Sequence, residues 1–237
     1  MQGNKVDAQP AFVLHAYPFR ETSLIVEAFA RDFGRVALLA RGARRPRSIL
    51  RGVLMAFQPL ELSWAGKGEI KTIVKAEWQG GQPLLSGKAL LCGYYLNELL
   101  LHLLPREDAH ARLFSVYAET LRQFAEGPKE PDLRLFERSF LQELGYGLTL
   151  KHDEQGRPID PALYYAYEIE RGPVRLRESG EAALMVSGKT LIDLGAGDFS
   201  DPRSLLEAKQ LMRTLIAHCL GGKGLETRKI FLESQEP

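Results

Sequence analysis

Over the first 80 residues the apolar positions come in short runs, AFVLHAY, SLIVEAFA, RVALLARG, VLMAFQPLELSW and EIKTIVKAEW. Runs this short and this rich in Val, Ile, Leu and aromatics predict five β-strands. The breaks carry turn chemistry: Pro18, the Asp32 to Gly34 stretch, and Gly66-Lys67-Gly68, which predicts a tight hairpin between the last two strands. No helical pattern long enough for a crossover interrupts them. The expected fold of this half is therefore a small barrel of the OB type, whose closure hides the sheet edges.

After Gly80-Gly81 the period changes. Residues 86–104 are nearly all apolar (Leu90, Leu91, Tyr94, Tyr95, Leu99, Leu100, Leu103), as in a helix surrounded by others. Spacings of three and four through Leu113, Val116, Tyr117, Thr120, Leu121 and Phe124 predict an amphipathic helix that ends near Gly127-Pro128. A third helix is expected from Asp132, a suitable cap, through Leu133, Phe136, Phe140 and Leu144 to a stop at Gly145. Residues 146–200 lose this clarity and predict a small irregular β or mixed excursion. Helical spacing returns from Ser204, with Leu205, Ala208, Leu211, Met212, Leu215, Ile216 and Cys219 on one face, and GLETRKIFLES adds a last short helix. The predicted class is α+β: a five-stranded barrel at 1–80, then a helical domain at 81–237 with its excursion at about 146–200.

Composition changes this picture little. The chain has 237 residues, 45% hydrophobic and 26% charged, which is ordinary globular composition with room for two small domains. No run of 18 apolar residues appears, and the start lacks the order of a secretory signal, so a cytoplasmic protein with no membrane partner is expected. Cys92 and Cys219 sit far apart in apolar helical patterns and read as buried thiols.

Charge changes it more. The net charge is only +1, but residues 1–80 carry 12 Lys and Arg against 7 Asp and Glu, so that half is +5 and the rest is −4. Between Asp32 and Glu61 there is no acid, while Arg35, Arg41, Arg44, Arg45, Arg47 and Arg51 fall in that interval. Such a field has no neutraliser within its own segment and is available to an outside anion. Arginine suits phosphate because its planar fork donates two parallel hydrogen bonds and its face stacks on bases. A loop joining strands of an OB barrel borders the face on which such barrels take single-stranded nucleic acid, with Phe19, Phe57, Trp64 and Trp78 the nearest aromatics, either stacking or core.

Other chemistry finds less support. Gly188, Lys189 and Thr190 match the end of a phosphate loop, but Ala183 stands where the first glycine is needed. GGKG at 221–224 is weaker still. His15, His102, His110, His152 and His218 are dispersed, without HxxxH or CxxC spacing, so no metal is expected. No residue set places a base beside a nucleophile, so no catalytic residue and no cofactor is expected.

The stretches AFVLHAYPFRETSLIVEAF, GRVALLARGARR, FQPLELSWAGKGEIKT, YYLNELL, LQELGYG and CLGGKGLETRKIF, in that order along nearly the whole chain, resemble the RecO family of DNA repair and recombination mediators. The resemblance implies an OB barrel, a helical domain, and an excursion that holds zinc in some members. Here that excursion has no cysteine, and His152 and Asp153 fall where cysteines would begin, so the chain resembles the zinc-free branch. It further implies a protein that is not an enzyme, binds single- and double-stranded DNA, and anneals complementary strands. Such proteins engage the acidic C-terminal tail of single-stranded-DNA-binding protein and work with RecR to load RecA. Carried over by position, DNA contact falls on Arg35, Arg41, Arg44, Arg45, Arg47 and Arg51, with Lys71 and Lys75 as outer contacts. For the acidic tail, the helical domain offers Arg134, Lys209 and Arg213, flanked by Leu and Phe. Barrel and charge alone leave an RNA-binding module open, because they do not separate RNA from DNA. A nucleotide hydrolase at Ser187 to Thr190 and a protein-interaction scaffold are the other classes.

Overall fold

The computed structural model describes residues 5–176 and 184–233. By its contacts the chain divides into two compact units, Met1–Pro128 with Leu225–Pro237, and Lys129–Gly224.

In the first unit, β1 (Lys5–Phe19), β2 (Ser23–Ala30), β3 (Gly34–Ala40), β4 (Leu60–Ala65) and β5 (Ile70–Trp78) close a barrel in the order β1-β2-β3-β5-β4. Every pair is antiparallel except β3 with β5. This is the OB arrangement. Strand alternation sends Val26, Ala28 and Ala30 of β2 and Val36, Leu38 and Ala40 of β3 inward, where they pack with Leu60, Leu62 and Trp64. A bulge between Val13 and His15 re-aims β1. The run VLMAFQPLELSW is not one strand: its start belongs to the short helix α1 (Leu50–Val53), Ala56 makes an isolated parallel bridge to Val13, Phe57 adopts a left-handed backbone, and the strand itself begins at Leu60. Leu54 packs into the barrel core, so burial rather than pairing accounts for the apolar character there.

Helices α2 (Gly87–Leu103), α3 (Ala111–Glu126) and α7 (Glu226–Glu233) complete this unit. Helices α2 and α3 cover the outer face of β1 and β2, and α7 is held on α2, where Glu98 accepts from the Thr227 N–H at 3.0 Å. Phe12 and Phe29, on outward positions, meet Phe114 at 5.5 and 5.4 Å between ring centroids, and Tyr117 at 5.2 and 6.0 Å. Beneath them Asn97 donates to the Leu14 carbonyl at 2.8 Å and accepts from the Tyr117 hydroxyl at 2.5 Å, so the buried polar groups are paired. Burial pushes the Tyr117 hydroxyl pKa upward, which keeps it a donor.

The second unit contains α4 (Glu130–Glu143), a three-stranded sheet of β6 (Tyr164–Glu168), β7 (Gly172–Arg175) and β8 (Met185–Ser187) in the order β7-β6-β8, then α5 (Gly188–Ala196) and α6 (Pro202–Cys219). Asp132 is not the N-cap expected of it. It sits one turn inside, where its carboxylate accepts from the Lys129 backbone N–H at 3.0 Å. Helix α6 buries Ala208, Leu211, Met212, Leu215 and Ile216. Cys92 is buried and Cys219 half-buried.

Candidate nucleic-acid interface

The arginine segment leaves β3 at Ala40 and is fastened to the β1-β2 turn. Gly42 adopts φ +66°, and its N–H donates to Ser23 Oγ at 3.3 Å. The Arg44 N–H donates to the Thr22 carbonyl at 2.8 Å, and Ala43 is 1% exposed, inserted into the barrel core. An alanine pinned inside and a glycine free to turn fix the path of the loop. Its charged side chains are left outside.

Arg41, Arg44, Arg45, Arg47 and Arg51 are all exposed, and among the described residues none of them forms an ion pair. The Arg44 guanidinium donates to the Arg20 carbonyl at 3.3 Å, and the Arg45 side chain lies over Gly42. Arg41, Gly42 and Arg45 border a cleft of about 710 Å³ whose floor and rim include Phe19, Ile25, Leu39 and Arg20. The cleft lies on the β2-β3 face between the β1-β2 turn and the start of β5, the position from which OB barrels hold oligonucleotides. The register Tyr17↔Ile25↔Leu39↔Thr72 carries this outward row across four strands. Tyr17 is 47% exposed and its ring lies 4.3 Å from that of His15, while the Arg20 guanidinium lies 5.3 Å from the centroid of Phe19. Apolar and aromatic surface beneath uncompensated guanidiniums suits bases below and phosphates above.

The remaining residues assigned to DNA sit differently. Arg35 is turned inward, where it donates to the Leu101 carbonyl at 2.5 Å and its Nε lies 4.0 Å from the buried Glu27 carboxylate. Burial lowers its pKa from the usual arginine value, against the pull of Glu27. Glu27 also receives Arg106, so Arg35 belongs to an internal charge cluster under the helices. Lys71 is bound to Glu107 and Lys75 to Glu77 at 2.7 Å. Phe57 and Trp64 are core, at 3% and 1% exposure, and the Trp78 indole donates to Gln58 at 3.0 Å.

The three cations assigned to an acidic tail do not present alike. Arg134 is buried and paired with Glu137 at 2.7 Å. Lys209 is half-exposed and pairs with Glu130 at 2.8 Å. Arg213 is exposed, and no ion pair engages it among the described residues.

The SGKT stretch is a capped helix start. Ser187 Oγ accepts from the Thr190 N–H at 3.1 Å, and Glu207 accepts from the Ser187 N–H and the Thr190 hydroxyl, both at 2.8 Å. The anion at this helix N-terminus is thus the protein's own carboxylate. Gly188 is required because a Cβ there would stand 1.9 Å from the Asp160 carbonyl oxygen. Ala183 lies outside the described residues.

Among the described residues no three His, Cys, Asp or Glu side chains converge where a metal could sit. Near His152, the Asp153 carboxylate accepts from the Gln155 and Arg157 N–H groups, both at 2.9 Å, and from the Arg157 guanidinium at 2.7 Å. That loop closes on an internal ion pair, and its donors do not fit zinc. Among the described residues no helix is long and apolar enough to cross a membrane.

Sequence reasoning missed Arg20, Tyr17, Ile25 and Leu39. For Tyr17, Ile25 and Leu39 the signal was the outward parity of β1 to β3, masked because both faces of those strands are apolar there, whereas Arg20 lies in the β1-β2 turn, where no strand period applies.

The family model described as recombination protein O N terminal matches residues 5–81, and that described as recombination protein O C terminal matches residues 84–229. The chain is similar to proteins named DNA repair protein RecO. That of Dechloromonas aromatica (strain RCB) is 66% identical over 237 residues, covering 98% of each chain. That of Aromatoleum aromaticum (strain DSM 19018 / LMG 30748 / EbN1) is 57% identical over 236 residues, covering 99% of each, and that of Ralstonia nicotianae (strain ATCC BAA-1114 / GMI1000) is 48% identical over 235 residues, covering 98% of this chain and 86% of the other. With both parts matched in order along almost its whole length, this chain belongs to the recombination protein O family, RecO.

Proposed function

We propose that this protein acts in DNA repair as a non-catalytic recombination mediator, holding DNA in the cleft on its OB barrel. Arg20, Arg41 and Arg45 meet backbone phosphates there, while Tyr17, Phe19, Ile25 and Leu39 take the bases. Arg44, Arg47 and Arg51 add to the field. The observation that supports this reading most is the set of five exposed guanidiniums with no ion-pair partner among the described residues, fixed beside the strand face that OB barrels use. Uncompensated charge of this kind binds single and double strands without regard to sequence. Neutralised backbones repel each other less, so complementary strands held close can anneal without any bond chemistry.

The names of the relatives support the repair setting. In it, the protein acts in the cytoplasm at the nucleoid, captures strands coated by single-stranded-DNA-binding protein through that protein's acidic tail, and helps RecR load RecA. Arg213 is the exposed cation for the tail. Lys209 joins it by giving up an exposed pair with Glu130, which stabilises little.

The test is fluorescence anisotropy of labelled single-stranded DNA across a salt series, with labelled RNA as competitor. Log affinity should fall linearly with log salt, by about 0.7 per neutralised phosphate. Arg41→Glu with Arg45→Glu should weaken binding by well over about tenfold, since two cations become anions. A salt-insensitive affinity, or one indifferent to that double change, would defeat the reading. Preference for RNA would assign the barrel to RNA instead.

A further inference from the structure

We propose that the arginine segment is a wall between two clefts, so that one barrel holds two polynucleotide strands at once, one on either side of residues 41–54. This rests on the reading above that the barrel binds nucleic acid. Side chains of the segment part to opposite sides: Arg41 and Arg45 border the first cleft, whereas Ala43, Arg44 and Arg51 border a second of about 360 Å³, with Leu24, Leu50 and Leu54. Strand alternation makes the division sharp. Ser23 and Ile25, outward on β2, belong to the first cleft, and Leu24 between them, which packs on the barrel core, belongs to the second.

Arg44 and Arg45 are adjacent in the chain yet border different clefts, so at that point only the backbone of the segment separates the two clefts. The bonds of Arg44 N–H to Thr22 and Gly42 N–H to Ser23, with Ala43 locked in the core, stop it from rolling and carrying its cations from one side to the other. The second cleft therefore keeps Arg51 and Arg44 over a leucine floor, with the Arg44 guanidinium also held by the Arg20 carbonyl at 3.3 Å. Neither forms an ion pair among the described residues.

That chemistry takes a polyanion with an apolar face. A nucleic-acid strand is favoured over an acidic peptide because the site continues the cationic surface of the first cleft. The closed barrel also pairs β2 with β1 and β3, and β3 with β5 across Ala37 to Leu39, so beside the clefts no long strand edge is offered for a peptide to extend. Two strands lying against one thin cationic wall share its neutralising charge, which is what bringing complementary backbones together requires.

The experiment uses the full chain and two non-complementary oligonucleotides with different dyes at physiological salt. The protein is saturated with the first, the second is titrated, and mass photometry counts chains per complex. The expected result is a complex of one chain with both strands. Arg44→Gln with Arg51→Gln, which removes charge without adding any, should weaken second-strand binding about tenfold and first-strand binding less than about threefold. Arg41→Gln with Arg45→Gln should show the reverse order, and circular dichroism confirms that both variants fold. If both pairs weaken first-strand binding equally and the wild type never holds two strands per chain, the clefts form one site and the inference fails while the reading of the barrel stands. If neither pair alters any DNA affinity, the reading itself fails. If an acidic peptide ending in an apolar residue binds through Arg44 and Arg51 and no second strand does, the second cleft is a peptide site and the inference is overturned.

Discussion

Two arginines that the sequence offers for ligand binding are engaged inside the protein. Arg35 reaches 66 residues along the chain to the Leu101 carbonyl, and Arg134 is buried against Glu137. Removing one partner of a buried pair leaves the other charge with too little compensation. Arg134→Ala should therefore destabilise the protein by about 3 kcal/mol, measured by urea denaturation. Arg213→Ala, at an exposed position, should leave the midpoint within about 0.5 kcal/mol. A loss of tail binding in Arg134→Ala would thus reflect folding, and one in Arg213→Ala contact.

At the level of elements, the α5 start shows how one carboxylate replaces an outside ligand. Burial alone would push the Glu207 pKa up, but the Ser187 N–H, the Thr190 and Ser187 side chains and Arg203 together hold it below the ordinary 4.5. A lowered folded pKa means that this contribution is complete above 4.5 and fades as pH falls through the folded value. Urea midpoints should drop on acidification below 4.5. Glu207→Gln should flatten that drop at a cost of about 1 kcal/mol near neutrality. The flanking SGKT was ambiguous in sequence because a helix cap and a phosphate loop use the same small polar residues; only the arrival of Glu207 from α6 separates them.

Over the whole molecule, the +5 of residues 1–80 and the −4 of the rest form a charge asymmetry that, under the proposed function, should draw DNA toward the barrel. Association rates for single-stranded DNA, followed by stopped-flow, should fall steeply as ionic strength rises from low salt, because the Debye length shrinks to about 8 Å at physiological salt. Dissociation rates of the barrel variants carry the contact contribution and should change more than their association rates at high salt. Unchanged association across the salt range would remove steering from the account.

Much of this was legible in the chain itself. Short apolar runs broken by turn residues specified the five-stranded barrel, threefold and fourfold spacings specified α3, α4 and α6 but neither α1 nor α5, and the acid-free interval marked the cationic loop. These are local properties, set by backbone period and by charge along the sequence. Which arginines face solvent was not local. Arg35 and Arg41 are alike in sequence, yet the helices cover the sheet end that holds Arg35 and leave the end at Arg41 open. Since β1 to β3 are apolar on both faces, period two could not say which outward residues lie bare. That was decided by packing between residues far apart in the chain, as was the sorting of neighbouring Arg44 and Arg45 to different sides of the loop.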